Sequence, residues 1–370
     1  HAMIAGVGGV DGVLLAVAAD DGVMPQTREH LHICKLLGIR RVVVALTKAD
    51  LVDDEMLELA EADVRATLEA LELEPTAVVR TAVVDGRGLA EIRTAIGDLA
   101  KLAPPRGASS RTWLPIDRVF SVKGAGTVVT GTLTRGSLTR GSVAFIATTR
   151  GVRESACRGI EVHGRAVESV AAPCRVAVNL ARLEVADIGR GDVLTLEAEL
   201  PLTTRVDARL SALPGTESAL SDSSPVTVHI GTTRVGARIA AIGDGLFQLL
   251  LDEAIPCQGG VGIVLRGFRA TRDHGAVLAG GRVLDALAPP LPRRRDTAGR
   301  ARRAATLAHV AEGDWALALG GLMEIAAPRP IFGPDIERRF GLEVGDLARW
   351  LTGKKRRGPA DSLALPNAAY

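Results

Sequence analysis

One short run places three reactive side-chain types together. Arg41 to Asp53 reads RVVVALTKADLVD. A buried-strand pattern stops at Thr47, and Lys48 and Asp50 follow at once. In a parallel α/β sheet, ligands sit beyond the carboxyl ends of the strands, which is where this trio falls. An aspartate offers two acceptor oxygens, and a guanine base presents two adjacent N–H donors on its Watson–Crick edge. A bidentate, charge-assisted pair from Asp50 would select guanine over adenine, which sets an acceptor against the carboxylate. Lys48 can lay its aliphatic stem on the purine face, and Thr47 can tie the loop to its neighbours. The next strand end carries TAVVDGRGL, from Thr81 to Leu89. There the small Ala82 lets a backbone N–H approach the guanine carbonyl. Thr47, Lys48, Asp50, Thr81 and Ala82 are therefore the candidate guanine-binding set. The competing reading makes Asp50 only the N-cap of the helix that follows. The second loop raises the guanine reading above it.

Other motifs are negative. The phosphate loop GxxxxGK[ST] occurs nowhere in the 370 residues. KGAGTVVTG, Lys123 to Gly131, lacks the third glycine at the required spacing and reads as a β-turn. His30 and His32 have no third ligand nearby and read as helix residues. Cys34, Cys157, Cys174 and Cys257 form no CxxC pair, so buried free thiols in a reducing compartment are expected. No metal site and no catalytic residue is assigned.

The elements that position these loops follow from periodicity. Residues 1–103 alternate apolar strands (GVLLAVAA, RRVVVALT, TAVVRTAVV) with amphipathic helices, which indicates part of an α/β domain with a parallel sheet. Only three strands are present, and HAMIAGVGG reads as a chain whose beginning is missing. APPRGASSRT, Ala103 to Thr112, is a linker by composition. Residues 111–199 and 203–287 each show short strands punctuated by glycine, so two β-barrels are expected. Residues 298–353 are helical. GPDIERRFGLEVGDLARWLTG reads as helix, glycine turn, helix, an incomplete winged-helix-like module. KKRRGPADSLALPNAAY is expected to fray.

Hydrophobic residues make up 47% and charged residues 24% of the chain, which excludes a disordered class. No apolar run approaches the ~18 residues of a membrane span, and a cytoplasmic protein is expected. The net charge of +2 is unevenly spread: Leu291 to Tyr370 carry 14 Lys and Arg against 9 Asp and Glu. A basic tail of this kind is compatible with RNA contact and equally with a solvated surface.

The order of a guanine-binding domain followed by two barrels resembles translational GTPases. AGVGGVDGVLLAVAADDGVMPQTREHL resembles the segment after the second switch, and LPIDRVFSVKGAGTVVTGTLTRG the opening of the second domain. Thr47 at the head of the guanine motif, Asp117-Arg118, Ala125 and the helical tail favour the selenocysteine-specific elongation factors over the Tu-type general factor. The resemblance implies GTP hydrolysis, with Mg2+ held by a missing N-terminal part. It implies selenocysteinyl-tRNA and the ribosome as partners, and no membrane. The phosphate loop, switches and catalytic histidine of the family would all precede His1. The family's terminal modules also bind an mRNA hairpin, but this tail holds at most one such module, which counts against hairpin binding. An aminoacyl pocket on the second domain is implied at Asp117, Arg118 and Arg175, where fixed positive charge would suit an ionised selenol. Another Tu-like GTPase and a fragment unable to bind nucleotide stay open as alternatives.

Overall fold

A computed structural model describes residues 10–103, 109, 111–124, 126–271, 275–326, 332–343 and 345–348. The first region is a three-stranded parallel sheet in the order β1 (Val13–Ala18), β2 (Arg41–Thr47), β3 (Glu74–Arg80). Helices α1 (Pro25–Leu36), α2 (Asp54–Ala70) and α3 (Leu89–Lys101) connect and follow the strands. Central β2 buries Val42 to Leu46 without alternation, as a strand covered on both faces must. β1 alternates: Leu15 and Val17 are buried while Leu14 is 49% exposed. The third strand stops at Arg80 rather than running to Val84. A turn at Asp85-Gly86-Arg87 folds the chain back, the Ala82 N–H donates to the Arg87 carbonyl at 3.0 Å, and Val83 and Val84 are left exposed.

The first barrel comprises β4 (Leu114–Val122), β5 (Gly126–Leu133), β6 (Ser137–Thr139), β7 (Val143–Thr148), β8 (Gly151–Val162), β9 (Arg165–Val167), β10 (Ser169–Ala171), β11 (Cys174–Leu180) and β12 (Val193–Thr195). Its sheet runs β11-β5-β4-β12-β7-β8 and closes through β8 and β11, with Val178 opposite Ile160. Between β4 and β5, Gly124 and Gly126 both take positive φ, which glycine adopts without strain; Ala125 lies outside the described residues. The second barrel comprises β13 (Leu202–Ala212), β14 (Pro225–Ile230), β15 (Thr233–Gly243), β16 (Leu246–Pro256), β17 (Gly262–Thr271) and β18 (Gly275–Asp285), closed in the order β13-β16-β15-β14-β17-β18. Its inward residues, among them Val206, Val228, Leu249 and Ile263, form a single core.

Two joints bind these regions. Ile33, Leu36 and Leu37 of α1 and the turn after it pack on Val264, Val277 and Leu213 of the second barrel, and Glu29 pairs with Arg266 at 3.1 Å. The second joint is made by tail helices α4 (Thr297–Glu312), α5 (Trp315–Ala326) and α6 (Gly333–Phe340). Gly313 and Gly341, both left-handed, end α4 and α6. Trp315 meets Phe340 edge to face, centroids 5.6 Å apart, in a core shared with Leu246 and Leu284 of the barrel. Beneath that core Arg303 bonds Asp207, and its Nη2 donates to Asp285 Oδ2 at 2.7 Å. Arg339 reaches the same Asp285 oxygen at 2.6 Å, and Gln248 donates to Asp207 at 2.8 Å. Burial pushes Asp207 up to about 6, against the pull of Arg303. Burial acts upward on Asp285 too, but the two arginines outweigh it and hold its pKa below the ordinary carboxylate range. The second helix of the expected helix-turn-helix begins at Asp346; its end and the KKRRG tail lie outside the described residues. No described helix is long and apolar enough to cross a membrane.

Candidate functional site

The carboxyl ends of β1, β2 and β3 bring the candidate base-binding residues to one edge. Backbone bonds knit the three ends together: Ala49 N–H donates to Thr81 O at 3.1 Å, Thr81 N–H to Leu46 O at 2.7 Å, and Thr47 Oγ1 to Val17 O at 3.3 Å. Thr47 thus ties its loop to the neighbouring strand. Asp50 is exposed, and no hydrogen bond or ion pair engages its carboxylate among the described residues. The N-cap of α2 is Asp53, whose Oδ1 accepts from Met56 N–H at 2.9 Å. The capping explanation for Asp50 is therefore removed, and its two oxygens remain available to a ligand.

Lys48 sits in the left-handed region at φ +58°, a cost of ~1 kcal/mol or more for a non-glycine residue. Its ammonium donates to both carboxylate oxygens of Asp20, at 2.8 and 2.9 Å, and lies 3.4 Å from Asp21 Oδ2. The hydrogen bond from Lys48 holds Asp20 below the ordinary carboxylate range, and Asp20 raises Lys48 in return. The sequence reading missed Asp20 and Asp21, although the pair follows β1 directly at the same carboxyl edge. It also missed Arg87, whose guanidinium reaches Ala49 O at 3.5 Å and links the two base-loop candidates. Ala82 departs from expectation in one respect. It is buried, as a small residue packed under the loop should be, but its N–H is committed to Arg87 O rather than open toward a base.

The second candidate set lies on the outer face of the first barrel. β4 carries a bulge between Ile116 and Arg118, which leaves Asp117 out of the paired register next to Arg118. Across the sheet, Thr130 on β5 donates to Asp117 Oδ1 at 2.9 Å, and Arg175 on β11 grips both Asp117 oxygens at 2.5 and 3.1 Å. That bond raises the Arg175 pKa, since the charged guanidinium is the form Asp117 stabilises. Arg118 pairs in register with Thr130 and is exposed, with no ion pair among the described residues. The arrangement fixes one guanidinium and leaves a second beside it free to meet an anion.

Among the described residues no cluster of three or more metal-ligating side chains exists. These residues do not form the Mg2+ site that the resemblance implies, and no chemical step is derived through it.

Comparison with known proteins agrees with this architecture. Residues 1–103 match the Elongation factor Tu GTP binding domain, and residues 203–290 the beta-barrel domain of the Selenocysteine-specific elongation factor. The selenocysteine-specific elongation factor of Desulfomicrobium baculatum is 36% identical over 293 residues, covering 77% of this chain and 45% of that protein. The chain is a homologue of selenocysteine-specific elongation factors. The factor of that name from Escherichia coli (strain K12) is 35% identical over 295 residues, covering 79% of this chain and 46% of that one. The chain therefore spans about half the length of the curated relatives it matches. A crystal structure of bacterial selenocysteine-specific elongation factor EF-Sec shares the fold at TM-score 0.77 and 24% identity, over 92% of this chain and 54% of that one. Elongation factor SelB from Methanococcus maripaludis in complex with the GTP analogue GppNHp aligns at TM-score 0.68 and 21% identity, over 76% and 67% of the two chains.

Proposed function

We propose that the chain is the guanine-recognition and aminoacyl-binding portion of a GTP-dependent elongation factor that delivers selenocysteinyl-tRNA to the ribosome. The observation that carries the reading is the Asp117–Arg175 pair beside the unpaired Arg118 on the first barrel. A selenol is largely ionised at neutral pH, whereas a serine hydroxyl is not. Fixed, preorganised positive charge therefore separates the two aminoacyl groups. Asp117 serves two ends: it orients Arg175, and its carboxylate can meet the α-amino group. The second element of the reading is Asp50, whose carboxylate oxygens no described residue engages and which can accept from guanine. GTP held there would order the segments that close the barrels on tRNA, and hydrolysis would release it. The described residues contribute the base end of that site; they hold no cradle for the β- and γ-phosphates.

The test uses the chain joined behind a family-type phosphate-loop segment and loaded with GTP. Arg118→Ala or Arg175→Ala should lower protection of selenocysteinyl-tRNA against ester hydrolysis by roughly tenfold or more, the scale of a lost charge-assisted hydrogen bond. Protection of seryl-tRNA should barely change. Equal losses for both tRNAs would place the arginines on RNA phosphate and remove the aminoacyl assignment.

A further inference from the structure

The base loop contains a long cationic side chain whose fixation the guanine reading leaves unexplained. Lys48 extends from the end of β2, and its ammonium is anchored at the turn after β1, on Asp20 with Asp21 close by. β1 and β2 are parallel neighbours with Ala18 opposite Thr47, so the lysine stem lies across the carboxyl edge of the sheet from one loop to the next. A lysine left to itself loses up to about 2 kcal/mol of rotamer entropy when a ligand immobilises it. One already anchored meets its ligand with much of that loss incurred. The backbone is held as well, through Leu51 N–H to Lys48 O and Ala49 N–H to Thr81 O.

We propose that Asp20 is a positioning residue of the base site, fixing the Lys48 ammonium so that the aliphatic stem stands as a preformed shelf for the purine face. Asp20 touches no base in this arrangement; it acts through Lys48. Asp21, at 3.4 Å from the same ammonium, is the lesser partner. The proposal rests on the guanine reading, and the two make separate predictions. Asp50 faces the base edge and sets the preference for guanine. Lys48 and Asp20 address the ring face, which guanine and hypoxanthine share.

The test titrates the full 370-residue chain with guanosine, inosine and adenosine, following amide resonances of the base loops by NMR. Asp20→Asn keeps the shape and removes the charge. It should weaken guanosine and inosine alike by roughly threefold to tenfold, leaving the guanosine-over-inosine preference unchanged. Asp20→Glu should restore much of the loss. Lys48→Ala should weaken binding at least as much, and adding Asp20→Asn to it should cost nothing further. Full affinity in Asp20→Asn while Lys48→Ala is weak would overturn the positioning role and leave the guanine reading standing. Additive losses in the double variant would show Asp20 acting independently of Lys48 and would also overturn it. A changed guanosine-over-inosine preference in Asp20→Asn would mean general loop collapse and count against the shelf. No preference for guanosine over adenosine in the unaltered chain would overturn both the proposal and the reading beneath it.

Discussion

The sheet of the first region and the second barrel are built from similar Val-, Leu- and Ala-rich strands, yet the described sheet ends in edges and the barrel closes on itself. In the barrel every strand has two neighbours, and Val228, Leu249, Ile263 and Ala279 are sealed from solvent. In the sheet, β1 pairs with β2 on one side and with no other strand among the described residues, and its outer-face Leu14 is half-exposed. Helix α3 buries no residue fully, and Leu89, Ile96 and Leu102 all stand open. The difference shows where each region's stability resides. The barrel carries a saturated core and can support charge buried against it; the sheet leaves exposed the carboxyl edge where the proposed base site lies. Substitutions should therefore act on stability in one region and on ligand affinity in the other.

The sharpest way to break that division is at Arg303. Its guanidinium is almost fully buried between Asp207 and Asp285, with Arg339 behind. Arg303→Ala leaves Arg339 on Asp285 but strips buried Asp207 of its arginine, with only Gln248 still donating to it, which should cost about 3–5 kcal/mol of unfolding free energy, as loss of one partner from a buried pair does. The measurement is urea unfolding followed by tryptophan fluorescence, since Trp315 stands over the network. A loss under about 1 kcal/mol would mean the tail is not docked on the barrel as described. Because burial pushes Asp207 up to about 6, the native state takes up a proton there as pH falls from about 6 toward its unfolded value. The Asp207 contribution to stability therefore improves on acidification through that window, and Arg303→Ala should be least destabilising at its acid end.

The next test moves to the open sheet. The Asp50 carboxylate makes no hydrogen bond or ion pair among the described residues, so Asp50→Asn should leave unfolding unchanged within ~0.5 kcal/mol. Binding should change strongly. An amide offers a donor where the carboxylate offered an acceptor, so GTP should weaken by roughly 3 kcal/mol while xanthosine triphosphate gains. Calorimetry on the chain joined to a phosphate-loop segment reads both. Unchanged GTP affinity would remove the guanine assignment.

The fold class was legible because periodicity changes abruptly along the chain. Continuous apolar runs between helices mark the covered parallel sheet, and short glycine-punctuated strands mark the barrels. What pairs at long range was not legible. Arg303 sits in GRARR, which reads as a solvated basic run, and its burial depends on Asp207 and Asp285 of other elements. Lys48 could be named as a base shelf, but its anchor could not, because Asp20 lies in a turn that only the β1–β2 register brings alongside. The end of the third strand was misread for a local reason: Val83 and Val84 look like strand residues, but the Asp85-Gly86-Arg87 turn takes back the Ala82 N–H that a longer ladder would need.

The smallest effect is expected at the open face itself, and it sharpens the comparison most directly. Leu249 of the barrel is sealed from solvent, and Leu249→Ala should cost about 2–5 kcal/mol through lost transfer energy and a residual cavity. Leu14, on the outer face of β1, and Ile96, on α3, are 49% and 41% exposed. A side chain that gives up only half its contact with water has about half the ~1.5–3 kcal/mol of a buried leucine to lose, and no closed cavity is left behind. Leu14→Ala and Ile96→Ala should each cost about 1 kcal/mol or less in this chain, measured by the same urea unfolding. A family-type phosphate-loop segment joined ahead of the chain would bring further apolar surface, and the proposed function predicts that it packs on the exposed faces of β1 and α3. The same two substitutions should then cost about 2 kcal/mol or more each, while Leu249→Ala stays where it was. Costs at Leu14 and Ile96 that do not rise in the joined protein would show that the added segment packs elsewhere, and that the exposed face of this sheet is its finished surface.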